Sequence, residues 1–344
     1  MGDGKYEKYG KNGSDESDVG EAEIDGRSFL QRERAMLKHI LFGLVIALSA
    51  SAQSKIVIAH RGASGYVPEH TLEAYALAHA MGADYVEPDV VLTKDKVFIC
   101  LHDIHLEMTT DVEQVFPDRK REDGKWYAAD FTLAEIKQLH AQERLKNRFP
   151  QDKSSFQVPT FAEMIELVQG LNNTTGREAG IYPELKEPKW HRENGLPMEE
   201  AFLALVKGYG YTSETSKIFV QCFEAEPLKR MRNELGSTLP QIQLLGSSKE
   251  FAPMLTKEGL VEIATYANGI GPDKGSVDKD PEIVKRAHDS GLKVHPYTLR
   301  KDSLPSKYSS FDNELNQFYN VYGVDGLFTD FPDLAVAFVK QVQR

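Results

Sequence analysis

Cysteine is nearly missing from this 344-residue chain. Cys100 and Cys222 are far too few for a disulfide scaffold, and each lies inside an apolar run, where a reduced core thiol is the simpler reading. Basic charge is also scarce, with 41 Lys and Arg against 52 Asp and Glu and a formal net charge of -11. Broad nucleic-acid binding needs a basic face to neutralise phosphates, so that class is excluded and any phosphate recognition must be local. Long hydrophobic runs are lacking too. The most apolar stretch, within residues 36–52, is too short to span a bilayer comfortably, and no basic amphipathic helix offers to dock on one. Internal repeats and low-complexity tracts are absent from residues 53–344, which removes solenoids and linker-like chains.

What is present divides the chain. Residues 36–52 have a basic start, an apolar stretch and Ala50-Ser51-Ala52 as a small-x-small cleavage site, the pattern of a secretory signal peptide. The alternative is an uncleaved anchor with a short cytoplasmic tail. Residues 1–35 are polar and lack apolar periodicity, so they are expected to be disordered if they are made at all; translation from Met36 fits this pattern. The acid excess survives removal of both segments, and residues 53–344 are long enough for one barrel-type domain.

From Lys55 onward, short β-branched or aromatic runs alternate with longer amphipathic stretches, the pattern of parallel strands with helical crossovers. The runs cover residues 55–59, 83–91, 97–102, 181–186, 218–223, 241–245, 269–271, 293–297 and 326–329. That is one more than an eight-stranded barrel needs, and Leu92 to Lys96 reads as a turn joining the second and third by a hairpin. Helical spacing appears at residues 71–81, 161–168, 199–206, 226–235, 281–290 and 333–342, with Thr71 as a cap and Pro281 in a first turn. Residues 104–157 are charged and too long for a simple connection; they are expected to form a small inserted subdomain over one end of a TIM-type (β/α)8 barrel, with a turn at Asp123-Gly124 and a helix at 133–139.

The chemistry-bearing residues cluster at run ends. His60 and Arg61 open His-Arg-Gly-Ala-Ser-Gly where the first run empties into a loop, and His102 closes the third. Glu87 and Asp89 are two apart, so on an extended strand they share a face; Glu184 and Lys186 repeat that spacing on the fourth run. Three hard carboxylate oxygens suit Ca²⁺ or Mg²⁺ and, with no cysteine beside them, not a soft metal. Taken alone, Glu-x-Asp is more often a solvated strand edge, and a lone histidine is more often a core or cap residue. Two histidines flanking carboxylates and an arginine instead fit phosphodiester cleavage, which needs one group to take a proton and another to give one. His70, His79, His105, His140, His191, His288 and His295 have no such pairing in the sequence and read mostly as surface or packing residues.

In this order, His-Arg-Gly-Ala-Ser-Gly, Pro-Glu-His-Thr, Glu-x-Asp, Leu-His-Asp, Tyr-Pro-Glu-Leu-Lys, Gln-Cys-Phe, Gly-Ile-Gly-Pro, Val-His-Pro-Tyr-Thr and Gly-Leu-Phe-Thr-Asp-Phe-Pro resemble the glycerophosphodiester phosphodiesterase family. The resemblance runs from about His60 to the C-terminus and is closest to the secreted, periplasmic type. It implies a TIM-type barrel with an insertion, and hydrolysis of small-molecule glycerophosphodiesters such as glycerophosphocholine and glycerophosphoethanolamine to sn-glycerol 3-phosphate and an alcohol. It also implies Glu87, Asp89 and Glu184 as ligands of one divalent cation, Ca²⁺ with Mg²⁺ as the alternative, and His60 and His102 as the acid/base pair. Arg61 and Lys186 match phosphate-contacting positions, and Phe223 and Tyr297 match aromatic positions lining the pocket. Ordinary barrel packing would serve Phe223 and Tyr297 equally well, and Asp330 is read as supporting the site. Two departures stand out: Met108, where relatives commonly carry arginine, and His70, which replaces the asparagine more common across the wider family but fits the periplasmic subgroup.

Two competing readings are a related barrel phospholipase, which would need a membrane-docking surface, and a binding protein on a dead enzyme scaffold, which would lack a ligand or a histidine. Neither signature is present.

Overall fold

The computed structural model describes residues 55–151 and 154–342. The polar leader, residues 1–35, and the expected signal peptide, residues 36–52, lie outside them. The strands are β1 (Ile56–His60), β2 (Tyr85–Glu87), β3 (Asp89–Leu92), β4 (Phe98–Cys100), β5 (Gly180–Ile181), β6 (Glu184–Leu185), β7 (Val220–Cys222), β8 (Gln241–Leu245), β9 (Gly269–Pro272), β10 (Lys293–Val294) and β11 (Gly326–Thr329). Pro88 separates β2 from β3, and Tyr182-Pro183 separates β5 from β6. A proline has no N–H for the ladder, so each pair is one stave with a break in it.

Counted this way, eight parallel staves form a ring: β1, β2/β3, β5/β6, β7, β8, β9, β10 and β11, with β11 returning to β1 from Ile56↔Gly326 to Ala59↔Thr329. The seam beside β10 is closed by Asp325 N–H to Val294 O, Phe328 N–H to Pro296 O and Leu299 N–H to Phe328 O. This is the closed TIM-type barrel. The surplus ninth run is β4. It folds back antiparallel on β3, pairing Val90↔Cys100, Val91↔Ile99 and Leu92↔Phe98. It flanks the upper half of its stave, whose lower half, from Tyr85 to Glu87, carries β1. His102 therefore reaches the barrel mouth on a hairpin arm.

Period-2 alternation assigns each stave residue to one of two cores. Outward residues such as Val57, Ala59, Val86, Ile181 and Val220 pack under the helices, while Ile58, Tyr85, Tyr182, Phe219, Ile242 and Phe328 fill the barrel interior. The surrounding helices start on caps written in the sequence. Thr71 accepts from Ala74 N–H ahead of Leu72–Met81, and Thr160 and Glu163 form a reciprocal capping box for Phe161–Thr175, which runs longer than its apolar spacing predicts. Pro281 stands at the N-cap just ahead of Glu282–Asp289, one position before the first turn. Four short helices, Pro188–Glu193, Lys257–Ile263, Lys274–Lys279 and Phe311–Asn316, carry too little periodicity to be seen beforehand.

Between β4 and the helix at Phe161, the chain builds a small apolar cluster of its own. Ile104, Leu106, Val112, Trp126, Phe131, Ile136, Leu139 and Val158 pack with Val91, Ile99 and Leu101 of the hairpin. The helix expected at 133–139 is a single turn, Leu133–Ile136, fixed by the Thr132–Glu135 capping box.

Candidate active site

On four of the staves, one step of two residues leads from the apolar floor to polar groups. Ile58 gives way to His60, Tyr85 to Glu87, Tyr182 to Glu184 and Phe219 to Gln221. The spacing, roughly 6.6 Å along a strand, sets the polar layer directly on packed side chains. There it lines a cavity of about 260 Å³ that contains His60, Arg61, Glu87, His102, Glu184, Lys186, Phe223 and Tyr297. Asp89 belongs to the same group of residues through the carboxylate cluster. Every site residue expected from sequence is thus in one place.

The loop after β1 is bent to deliver Arg61. Its φ is 59°, a conformation L residues rarely adopt, and its backbone N–H donates to Glu87 Oε2 at 2.7 Å. Gly62 follows at φ 82°, where an added Cβ would meet Ala74 at 2.7 Å. The Arg61 guanidinium donates to Glu69 at 2.9 Å and stands 3.4 Å from Asp89, and these carboxylates hold it charged against its burial.

Glu87, Asp89 and Glu184 each present an oxygen within 4.8 Å of the other two. At that spacing, two carboxylates repel by about 3 kcal/mol even at an effective dielectric of 20. The strain appears as displaced protons. Burial, with Asp89 beside it, drives Glu87 well above the carboxylate range, and burial raises Glu184 to about 8 against the pull of Lys186. Asp89 goes the other way: burial is outweighed by Lys186 and by the His70 hydrogen bond, so it stays well below the ordinary value. Its buried Oδ1 has no hydrogen-bond partner. An unpartnered oxygen among three hard anionic donors fits a divalent cation such as Ca²⁺ or Mg²⁺.

Both histidines are oriented by aspartates. His60 Nδ1 lies 2.6 Å from Asp330 Oδ1, and its Nε2 accepts from Arg61 Nε at 3.1 Å, so the proton sits on Nδ1. His102 Nδ1 pairs in the same way with Asp103 at 2.9 Å, leaving Nε2 as the nitrogen available to the pocket. Burial, with Arg61 adding to it, lowers His60 to about 3 and also lowers His102. Both shifts favour the neutral ring in the free site, the form a proton acceptor needs.

The model of the glycerophosphoryl diester phosphodiesterase family matches residues 60–334. This chain belongs to that family. Its membership makes it a phosphodiesterase, and a glycerophosphodiester phosphodiesterase from Haemophilus influenzae is 38% identical over 330 residues, covering 84% of this chain and 91% of the relative. Among solved structures, a chain from Silicibacter pomeroyi aligns with a TM-score of 0.67 at 25% identity, covering 84% of this chain and 94% of that one. An Oleispira antarctica phosphodiesterase, solved in complex with the product sn-glycerol-3-phosphate, aligns at 0.62 and 22% identity, covering 83% and 96%.

Within this phosphodiesterase, several residues bear on the site that sequence reasoning passed over. His70, read as packing, is buried at φ 58°; its Nε2–H donates to Asp89 Oδ2 at 2.8 Å and its Nδ1 accepts from Tyr75 OH at 2.8 Å. It thereby turns Asp89 so that Oδ1 is left free. The signal was present in Pro-Glu-His-Thr, but nothing in one dimension placed that segment against Glu-x-Asp. Gln221 donates to Glu87 Oε1 at 3.0 Å. Arg148, from the segment between β4 and the helix at Phe161, donates to Asp330 Oδ2 at 2.6 Å and to Ser64 O at 3.0 Å, while Arg300 gives Nε to the same Asp330 oxygen at 2.7 Å. Two cations therefore hold the aspartate that holds His60. Met108 is exposed and does not line the cavity.

The far side of the mouth is built differently. Phe223 and Tyr297 meet edge to face with centroids 5.9 Å apart, Lys186 Nζ stands 5.8 Å from the Phe223 ring centroid, and Leu244 and Phe328 complete an apolar wall.

Proposed function

We propose that this chain hydrolyses glycerophosphodiesters, glycerophosphocholine and glycerophosphoethanolamine among them, to sn-glycerol 3-phosphate and an alcohol, with Glu87, Asp89 and Glu184 holding Ca²⁺ or, alternatively, Mg²⁺. The observation that carries the reading is the convergence of two aspartate-tethered histidines, three carboxylates and two cations on one small cavity. The product named for the Oleispira antarctica structure supports it. A cavity of about 260 Å³ admits a deacylated diester far more readily than a two-chain phospholipid.

When bound, the cation would polarise a phosphate oxygen and acidify the attacking hydroxyl or water. The chain's own residues do the rest. Arg61 and Lys186 offset the charge gathering on phosphorus, each already anchored to a carboxylate and so needing little reorganisation. The neutral Nε2 of one histidine accepts the nucleophile's proton, while the other, whose protonated form the bound phosphodiester's negative charge favours, gives its Nε2 proton to the leaving oxygen, and the two exchange roles as the cycle closes. Asp330 and Asp103 hold the Nδ1 proton on each ring, so that Nε2 is the working nitrogen.

Secretion to the periplasm, with residues 36–52 as signal peptide, residues 1–35 not retained and residues 104–157 as the insertion on a 53–344 barrel, belongs to the same proposal. Mass spectrometry of the exported form should find its N-terminus at Gln53; a retained polar leader would refute this. The activity is tested by measuring glycerol 3-phosphate release from glycerophosphocholine before and after chelation, with Ca²⁺ and Mg²⁺ added back separately. Release that chelation abolishes and one ion restores is expected. No release under any condition would point to a lipid substrate or to a binding protein.

A further inference from the structure

His60 and Arg61 are neighbours in the chain, and each is held by a carboxylate that divides its two oxygens. Asp330 turns Oδ1 to His60 Nδ1 and Oδ2 to Arg148 and Arg300. Glu69 does the same for Arg61: its Oε1 accepts from Arg61 Nη1 at 2.9 Å, and its Oε2 lies 3.0 Å from Arg144 Nε. The outer partners of both carboxylates thus include two arginines of one stretch of chain, four residues apart. That stretch is tied down on its N-terminal side, where Ala141 N–H donates to Phe156 O and Gln142 N–H to Thr109 O, both at 2.7 Å. It then turns at the barrel mouth. Leu145 N–H donates to Glu143 Oε1 at 2.8 Å and Arg148 N–H to Leu145 O at 3.2 Å, while Leu145, Lys146 and Asn147 are exposed. Arg148 also takes Asp302 in a two-pronged pair, Nε to Oδ2 at 2.8 Å and Nη2 to Oδ1 at 3.1 Å, so the turn joins the loops that follow β1, β10 and β11.

Neither Arg144 nor Arg148 lines the cavity, so what reaches a substrate is what they hold. Burial alone would favour a protonated Glu69, but Arg61 and then Arg144 outweigh it and keep its pKa at about 2. It is an anion between two cations. A carboxylate facing a single guanidinium tends to pair through both oxygens. Arg144 occupies Oε2 and prevents this, which leaves Arg61 bound to Glu69 through one nitrogen, with its Nε 3.1 Å from His60 Nε2 and 3.4 Å from Asp89. We propose that Arg144 is a positioning residue: by holding Glu69 from behind, it sets the Arg61 guanidinium in register with the bound phosphate, as Arg148 sets His60 through Asp330. This rests on the phosphodiesterase reading and on the role of Arg61 given above, and it adds the residue that fixes that role.

The test follows glycerol 3-phosphate release from glycerophosphocholine against pH, using the full chain as parent, Arg144→Gln, Glu69→Gln, the double variant and Arg148→Ala. Arg144 is partly exposed and glutamine keeps much of its bulk, so the fold survives. Expected for Arg144→Gln is a fall in kcat/KM of about fivefold, the worth of a partly exposed ion pair. Its pH–rate profile should stay in place because Asp330 still holds His60, whereas the profile of Arg148→Ala should move. Glu69→Gln should fall further, and adding Arg144→Gln to it should cost nothing more, since that arm is already cut. Losses that add in the double variant would mean that Arg144 acts by another route and would overturn the assignment. An Arg144→Gln profile shifted like that of Arg148→Ala would reveal a loosened turn rather than a misplaced Arg61, and would overturn it too, as would an unchanged kcat/KM. If Glu69→Gln does not fold, the specificity constant and profile of Arg144→Gln decide alone. A parent chain that releases no glycerol 3-phosphate removes the phosphodiesterase reading, and this inference with it.

Discussion

The two halves of the barrel mouth are opposites. On the side of β1, β2/β3 and β5/β6, every polar side chain leans on another: Arg61 on Glu69, His70 on Asp89, Lys186 on Glu184 and Gln221, from the neighbouring stave, on Glu87. On the side of β7 to β10, Phe223, Leu244 and Tyr297 form an apolar wall, with Asp273, Lys274, Thr298 and Arg300 at its rim. The first half packs charge on charge and holds protons far from their usual pKa values; the second sets an apolar wall in the mouth and turns its charges to other tasks, Lys274 to Glu314, Arg300 to Asp330 and Asp273 to the helix cap at Ser276. In the proposed reaction, such a division would set bond breaking, which needs preorganised charge, on the first half and leave shape recognition to the second.

Substitutions at the charged half test this contrast most severely. His60→Ala and His102→Ala should each cut turnover by about 10³-fold or more with the thermal midpoint little changed, measured as glycerol 3-phosphate release beside a melting curve. Normal hydrolysis by either variant would remove the acid/base assignment. Next in size, Asp330→Asn should lower kcat by about 10²-fold, since the amide no longer fixes the Nδ1 proton of His60. Arg148→Ala should lower it less, because Arg300 still holds Asp330. A shift in the pH–rate profile of both variants would separate this positioning role from mere loss of packing.

The carboxylate cluster predicts a pH dependence. Glu184 is raised from 4.5 to about 8 in the fold without metal, so the stability it gains by keeping its proton is full below about pH 4.5 and lost as pH rises through 8. The chelated protein should therefore lose thermal stability across that window. Added Ca²⁺ or Mg²⁺ should then raise the melting temperature more at pH 8 than at pH 5, as protons cease to compete for the ligands. In Glu184→Gln, this metal-induced gain should largely vanish; if it persisted, the cluster would not be the metal site. The smallest effect is expected on the apolar side, where Phe223→Ala should raise KM several-fold with kcat nearly unchanged. A large loss of kcat would erase the distinction between the halves.

Much of this was legible in one dimension because alternation in a buried strand is itself a code. Glu87 and Asp89, or Glu184 and Lys186, two apart in an apolar run, must emerge on one face, and a stave whose floor residue is Tyr85 or Tyr182 carries its next inward residue into the mouth. Less visible were partners contributed by distant segments. His70 stands 19 residues from Asp89, and Arg148 stands 182 from Asp330, separations at which local pattern carries no information. The role of the ninth run was equally hidden, since a hairpin arm and a stave have the same apolar signature and differ only in what they pair with.

The sequence by itself therefore determined the barrel class, the residues that carry charge into the mouth and the ordered motifs of the family, because each depends on strand period, caps and residue chemistry within a short span. Tertiary structure alone decided how that charge is tuned: which carboxylate is pushed toward its protonated form, which histidine nitrogen is free, which distant arginine clamps Asp330 and which oxygen of Asp89 is left without a partner. Those outcomes depend on burial and on distances of a few ångströms between segments far apart in the chain, and electrostatic energies at such distances are fixed only when the barrel closes.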